Sequence, residues 1–261
     1  MQHLIIGNGV AGTTAAAQIR RYDPAASITI FSEEAHPFYS RLRLTDYLAG
    51  KVEEQELILR NQAWYEKQRL DLKLSCRVSR IDGAAKQVQT AGGETFSYDR
   101  LLLAAGGAAV FPPLPGGEKE GVFTLRSLED AKSIKQYAAR VEKVLLIGGG
   151  VLGLEAGNAL RLAGCRGQIV EFLDRLLPNQ MDPAGSRLLQ RQLTDMGLRF
   201  ELGVKVAALE GEERVSSFLL EDGRRFPCDL AIVAAGMQPR RELADCLGLP
   251  VNRGGLVNDY L

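Results

Sequence analysis

An α/β fold containing two copies of one strand–turn–helix plan, each on a parallel sheet, is predicted by three observations. First, a β-rich apolar run, Leu4-Ile5-Ile6, leads into the turn Gly7-Asn8-Gly9-Val10-Ala11-Gly12 and then a helical run over residues 13–20. Second, the same succession returns as Val144-Leu145-Leu146-Ile147, Gly148-Gly149-Gly150-Val151-Leu152-Gly153 and a helical run over 154–162. Third, each copy reaches a second β-rich run closed by acid: Ser27–Phe31 before Glu33-Glu34, and residues 168–170 before Glu171. Glu33 lies 21 residues past its last glycine and Glu171 lies 18 past its own.

Glycine fills 28 of 261 positions, so chance gives about 0.3 matches to Gly-x-Gly-x-x-Gly in such a chain. Two matches, each framed by strand, helix and distant acid, exceed that expectation well. A further pattern also repeats. Gly92-Gly93, Phe96, Asp99 and the run Leu101 to Gly106 correspond to Asp222-Gly223, Phe226, Asp229 and Leu230 to Gly236. In each copy glycine precedes Phe by three, Phe precedes Asp by three, and Asp precedes the closing glycine by seven. These pieces read as a hairpin turn and a buried strand ending in a small-residue loop.

The residue types in the glycine turns have a physical reason. The first glycine permits a tight strand-to-helix turn, the second lets backbone approach a diphosphate, and the third lets helix pack on strand. Free N–H groups at the helix start and its positive dipole end then hold phosphate, while the acid closing the second strand accepts from ribose hydroxyls. A carboxylate at Glu171 repels the 2′-phosphate of NADP, which favours NAD, although Arg166 and Arg175 lie close in sequence. Two dinucleotide sites in one chain point to two dinucleotides, a nicotinamide and a hydride acceptor.

Composition narrows the function classes. Thirty-two basic side chains balance thirty-two acidic ones, so no positive field argues for nucleic acid or an anionic membrane. The longest near-apolar stretch, residues 101–111, has 11 residues, well short of the roughly 20 that cross a bilayer. The chain runs from Leu4-Ile5-Ile6 straight into a glycine loop, without the basic start and cleavage site of a leader, so a cytoplasmic location is expected. Cys76, Cys165, Cys228 and Cys246 form no Cys-x-x-Cys pair and read as small buried apolar side chains. With only His3 and His36, a Cys/His metal site is not expected. Phe111-Pro112-Pro113-Leu114-Pro115-Gly116-Gly117 reads as a stiff, non-helical linker, and residues 46–70 as a charged helical segment covering the first sheet.

Taken in order, these motifs resemble the FAD-dependent pyridine nucleotide–disulfide oxidoreductase superfamily, within it the rubredoxin and ferredoxin reductase-like flavoproteins and the flavin portion of NAD(P)H-nitrite reductase large subunits. The match extends through Pro37-Phe38-Tyr39-Ser40-Arg41, Ala104-Ala105-Gly106, residues 125–131, Gly148 to Glu155, Arg175-Leu176-Leu177-Pro178 and Ala235-Gly236. The resemblance implies two Rossmann-like domains with β-meanders. FAD would lie on residues 1–110 and 237–261, and NAD(P)H, with NADH favoured, on 118–236.

By that resemblance Gly7, Gly9, Val10, Ala11 and Gly12 bind FAD, Glu33 with Glu34 holds its adenosine ribose, and Arg41 neutralises its diphosphate. The backbone of Val78 would touch adenine, Ala105 and Gly106 would line the flavin, and Arg126 would reach FAD from the crossover. Gly148, Gly150, Val151, Leu152, Gly153, Glu171 and Gly236 would bind the nicotinamide dinucleotide, with Glu155 near both rings as the catalytic side chain. Read from sequence alone, Arg41, Arg43 and Arg126 are solvated surface arginines.

The implied activity is NADH:acceptor oxidoreduction: hydride passes to FAD, then electrons pass to rubredoxin, ferredoxin or a nitrite reductase centre. Partners would be a small electron-carrier protein or a fused reductase module. Alternatives are an NADH oxidase or a nucleotide-binding and assembly module. No redox cysteine lies between Phe38 and Tyr47 or around Gly148, so disulfide reductase activity is not expected; Asp46 stands where many relatives carry lysine. Relatives continue past the segment that ends here as Asn258-Asp259-Tyr260-Leu261 into an Ala-x-Gly-Asp element and an interface domain. The chain is therefore expected to be C-terminally truncated relative to them and to hold FAD weakly or not at all.

Overall fold

The computed structural model describes residues 1–259; Tyr260 and Leu261, the end of the returning segment, lie outside the described residues. The chain opens with β1 (Gln2–Ile6), α1 (Val10–Tyr22), β2 (Ser27–Phe31), a 3-10 turn (Arg41–Arg43), α2 (Leu44–Leu48), α3 (Glu54–Leu57), α4 (Gln62–Lys67) and β3 (Asp71–Lys73). Next come β4 (Val78–Asp82), β5 (Gln87–Thr90), β6 (Thr95–Ser97), β7 (Arg100–Leu103) and β8 (Gly107–Ala109). Then follow β9 (Val122–Thr124), α5 (Leu128–Ala138), β10 (Lys143–Ile147), α6 (Val151–Leu162), β11 (Arg166–Glu171), α7 (Pro183–Asp195) and β12 (Arg199–Leu202). The remainder is β13 (Val206–Glu210), β14 (Ser217–Leu220), β15 (Arg225–Pro227), β16 (Leu230–Val233), β17 (Met237–Pro239) and α8 (Glu242–Cys246).

These elements form two compact units. The first holds Met1–Ser40, Gln55–Ala108 and, among the described residues, 238–259; the second holds Arg41–Glu54 and Ala109–Met237.

In the first unit a parallel sheet runs in the order β3-β2-β1-β7, with the antiparallel meander β4-β5-β6 inserted before β7. Both faces of the sheet are covered, which is why β1 carries the continuous apolar run Leu4-Ile5-Ile6, and why even Thr29 of β2 is buried. Leu4, Ile6 and Phe31 face the meander residues Val78, Ile81 and Val88, while Ile5, Ile28 and Ile30 face Ala16, Tyr65 and Leu70. The second unit repeats the plan. Its sheet runs β12-β11-β10-β16-β9, and its meander β13-β14-β15 packs Leu209, Phe218 and Leu220 on Leu145, Val170 and Ala231.

The repeated aspartates have a shared structural task. The Asp99 carboxylate accepts from Gln2 N at 2.7 Å while Asp99 N donates to Gln2 O at 2.9 Å. The Asp229 carboxylate accepts from Lys143 N at 2.9 Å, and Asp229 N donates to Lys143 O at 2.8 Å. Each aspartate thereby fixes the start of the strand that leads into a glycine turn.

Three expectations need correction. Helices α1 and α6 begin at Val10 and Val151, within the glycine motifs, because the last glycine is already helical. Residues 46–70 are not one helix. Gly50 at φ +70° breaks the chain, and Asn61 starts a separate α4, its side chain accepting from Trp64 N at 3.1 Å. Residues 41–54, grouped by sequence with the first half, belong to the second unit. There α2 buries Leu44, Tyr47 and Leu48, the Lys135 ammonium sits 4.0 Å from the Tyr47 ring centroid, and Lys132 bridges Glu54 and Glu129. The proline linker is non-helical and lies in the second unit, where Pro115 O accepts from Leu209 N at 2.8 Å.

Arg20, in the last turn of α1, fastens the first unit. Its guanidinium donates to the carbonyls of Pro24 (2.9 Å), Ala26 (2.7 Å), Gln68 (2.9 Å) and Arg69 (2.8 Å), gathering the α1–β2 loop and the end of α4. Arg20→Ala strands these acceptors and is expected to cost about 2 kcal/mol, read as a lower denaturant midpoint at unchanged slope. Arg20→Lys recovers only part of the loss, since a point ammonium cannot fork across two loops. Full recovery by lysine would contradict this account.

Candidate functional site

Each glycine turn is built by the same backbone contacts. Gly7 N donates to Phe31 O at 2.9 Å and Gly148 N to Val170 O at 2.8 Å. Gly7 and Gly148 hold φ of +116° and +122°, a region L side chains rarely adopt, and the carbonyls of Ala104 and Ala234 occupy the space a Cβ would need. Gly12 and Gly153 lie so close to the Gly7 and Gly148 carbonyls that a Cβ would sit 1.9 and 2.0 Å from oxygen. Gly9 and Gly150 differ from these: each faces open space, with nothing within 4 Å of the point a Cβ would occupy. The close approach that the sequence assigns to the second glycine is therefore sterically free in both copies.

The helix starts behind these turns are chemically distinctive. Helices α4, α5 and α7 have side-chain caps: Asn61, the Ser127–Asp130 capping box and Asp182. Helices α1 and α6 have glycine at the N-cap, Gly9 and Gly150, with no side-chain cap and no acid in the first turn. Their first N–H groups and positive dipole ends are left for an outside acceptor. Val10, Ala11, Val151 and Leu152 are all exposed at these helix starts. Such a cradle suits a diphosphate, which brings acceptor oxygens and negative charge but needs backbone contact.

The acids differ between copies. Glu171 is the last residue of β11, and its carboxylate accepts from Gly149 N at 2.5 Å and Leu173 N at 2.8 Å. Gly148 follows Ile147, which is paired with Val170, just as Gly7 follows Ile6, which is paired with Phe31. By register the counterpart of Glu171 is thus Ser32, and Glu33 sits one residue further along. Sequence spacing missed Ser32 because it counts residues through loops of unequal length. Glu33 pairs with Arg240, whose N–H donates to Gly106 O at 3.0 Å. Glu34 accepts from the Tyr39 hydroxyl at 2.5 Å.

The other sequence candidates are spread over the two units. Val78 opens β4 with its side chain buried, and Ala105 and Gly106 follow β7 in the first unit. In the second unit Arg41 donates to Arg126 O at 2.9 Å, and Arg126 N donates to Asp130 at 2.9 Å. Glu155 is exposed on α6 and accepts from the Thr45 hydroxyl at 3.4 Å. Gly236 follows β16, its carbonyl accepting from Val110 N at 2.9 Å.

The four cysteines are free thiols. Burial pushes the Cys228 thiol up to about 12 and raises that of Cys165 as well, so both stay protonated. Cys246 is exposed, contrary to the expectation of a buried side chain. It lies on the outer side of the short α8, whose buried residue is Ala244.

A family model described as pyridine nucleotide-disulphide oxidoreductase matches residues 1–261. The chain belongs to the pyridine nucleotide-disulphide oxidoreductase family. Members of this family of oxidoreductases use FAD and NAD(P)H. The chain is 34% identical over 261 residues to nitrite reductase [NAD(P)H] of Bacillus subtilis (strain 168), covering all of this chain and 32% of that protein. It is 32% identical over 263 residues to rubredoxin-NAD(+) reductase of Pseudomonas putida, covering 100% of this chain and 68% of the relative. An NAD-dependent persulfide reductase from A. fulgidus superposes with a TM-score of 0.91 at 31% identity, over 97% of this chain and 48% of that one. The chain thus spans from about 32% to 68% of the length of these proteins. Among the described residues no helix is long and apolar enough to cross a membrane.

Proposed function

We propose that the chain carries the two dinucleotide cradles of an NADH:acceptor oxidoreductase. Residues 7–12, with Glu33 and Glu34, take FAD in the first unit; residues 148–153, with Glu171, take NADH in the second. When bound, FAD supplies the two-electron acceptor for the nicotinamide and the link to a one-electron carrier. The chain's own work is binding and orientation. The observation that carries this reading is the matched pair of uncapped helix starts behind sterically open glycines.

The remaining assignments follow the family's pattern. Val78, Ala105 and Gly106 serve FAD, Arg41 and Arg126 supply positive charge to its phosphates, Gly236 borders the nicotinamide dinucleotide, and Glu155 serves the reacting rings. The final acceptor is a small carrier such as rubredoxin or ferredoxin, or a fused nitrite reductase centre, in the cytoplasm. The decisive test is anaerobic addition of NADH to the FAD-loaded chain. Loss of the flavin's visible absorbance is expected, and its persistence would overturn the reading. Turnover that proceeds in air with no added carrier would instead favour an NADH oxidase.

NADH is preferred over NADPH because the Glu171 carboxylate is held in place by two backbone N–H groups. The two arginines close to it in sequence are engaged elsewhere, Arg166 with Glu142 and Arg175 with Asp174 and Pro178 O. Glu171→Gln keeps an oxygen for Gly149 N while removing the charge. The NADH-to-NADPH ratio of kcat/KM is expected to fall about tenfold or more. An unchanged ratio would remove Glu171 from coenzyme choice.

A further inference from the structure

Tyr65 is a fully buried tyrosine on α4, and its hydroxyl reaches into the first glycine turn. It accepts from Phe38 N at 3.1 Å and lies 2.8 Å from the side-chain oxygen of Asn8. A tyrosine hydroxyl has one proton. With Phe38 N–H already pointing at the oxygen, that proton goes to Asn8, which fixes the amide with its oxygen toward Tyr65. The Asn8 NH2 group is then left with no hydrogen-bond partner among the described residues. Asn8 stands between Gly7 and Gly9, beside N–H groups that have no side-chain cap.

We propose that Tyr65 is a positioning residue for the first dinucleotide cradle: it turns Asn8 so that the amide NH2 is presented as a donor to an anionic oxygen of the bound dinucleotide. This rests on the reading that residues 7–12 hold FAD. Burial keeps the Tyr65 hydroxyl protonated and dry, so its two contacts are not shared with water. The same hydroxyl ties the Phe38 segment to the turn, so one buried group sets both pieces of backbone. Helix α4 is itself fastened by the Asn61 cap and by the Arg20 contact to Gln68 O at its C-terminal end.

The experiment is FAD titration of the full chain and of Tyr65→Phe, Asn8→Asp, Asn8→Ala and the Tyr65→Phe/Asn8→Ala double variant. NADH titration and a thermal melt are run beside each. Asn8→Asp keeps an acceptor for Tyr65 but replaces the NH2 group with negative charge; it should keep the native melting temperature and NADH affinity while FAD affinity falls at least about tenfold. The decisive comparison is the Tyr65→Phe/Asn8→Ala cycle, which adds no charge. Tyr65→Phe should weaken FAD binding about tenfold in the native background and have little further effect in the Asn8→Ala background. Equal FAD affinity in the native chain and Asn8→Asp overturns the proposal, as does full additivity of Tyr65→Phe and Asn8→Ala. A native chain that takes up no FAD overturns the reading of the cradle itself, and is told apart by the absence of any baseline affinity.

Discussion

Gly153→Ala is expected to abolish NADH binding and to destabilise the second unit, and Gly12→Ala to do the same for FAD and the first unit. At each site the added methyl would sit 1.9 to 2.0 Å from the carbonyl oxygen of the first glycine in the motif. Neither partner can yield cheaply. The oxygen belongs to a residue at positive φ, itself wedged against the carbonyl of Ala104 or Ala234 and bonded through its N–H to β2 or β11. Relief requires the helix to lift from the strand, which moves the uncapped N–H groups of its first turn. The stability cost is roughly 3–5 kcal/mol, measured as a fall in denaturant midpoint. A variant that melts like the native chain would show that the helix and turn are not packed as described.

Gly9→Ala and Gly150→Ala should behave in the opposite way. Nothing lies within 4 Å of either added methyl, and both glycines hold extended backbone that alanine adopts freely. The fold should survive with a change of no more than about 1 kcal/mol, the usual cost of alanine at a helix N-cap. Dinucleotide affinity should nevertheless fall about 100-fold, because the methyl fills the space through which a diphosphate reaches the backbone. Isothermal titration with a thermal melt separates the two effects. Loss of stability equal to that of Gly153→Ala would deny any difference between the open and crowded glycines.

Much of this architecture is legible in the sequence, for identifiable reasons. Steric need at Gly7 and Gly12 leaves glycine as the solution, so the pattern repeats visibly at Gly148 and Gly153. Asp99 and Asp229 are equally visible, because each must cap the first backbone of a strand. What sequence spacing misses are contacts set by long-range packing. Tyr65 meets Asn8 from 57 positions away, and its type says only that it is a core aromatic. Arg20 looks like an ordinary surface charge until the loops it gathers are in place. Residues 41–54 carry no composition shift, so only the burial of Leu44, Tyr47 and Leu48 within the second unit reveals where they belong. The offset between Glu33 and Glu171 emerges only from strand register.

The central claim is that one chain holds two cradles of the same design with different occupants. The most direct measurement titrates the native chain, Gly9→Ala and Gly150→Ala, each with FAD and each with NADH. A crossed result is expected: Gly9→Ala loses FAD affinity and keeps NADH, while Gly150→Ala loses NADH affinity and keeps FAD. Losses that fall on the same dinucleotide in both variants, or on neither, would contradict it.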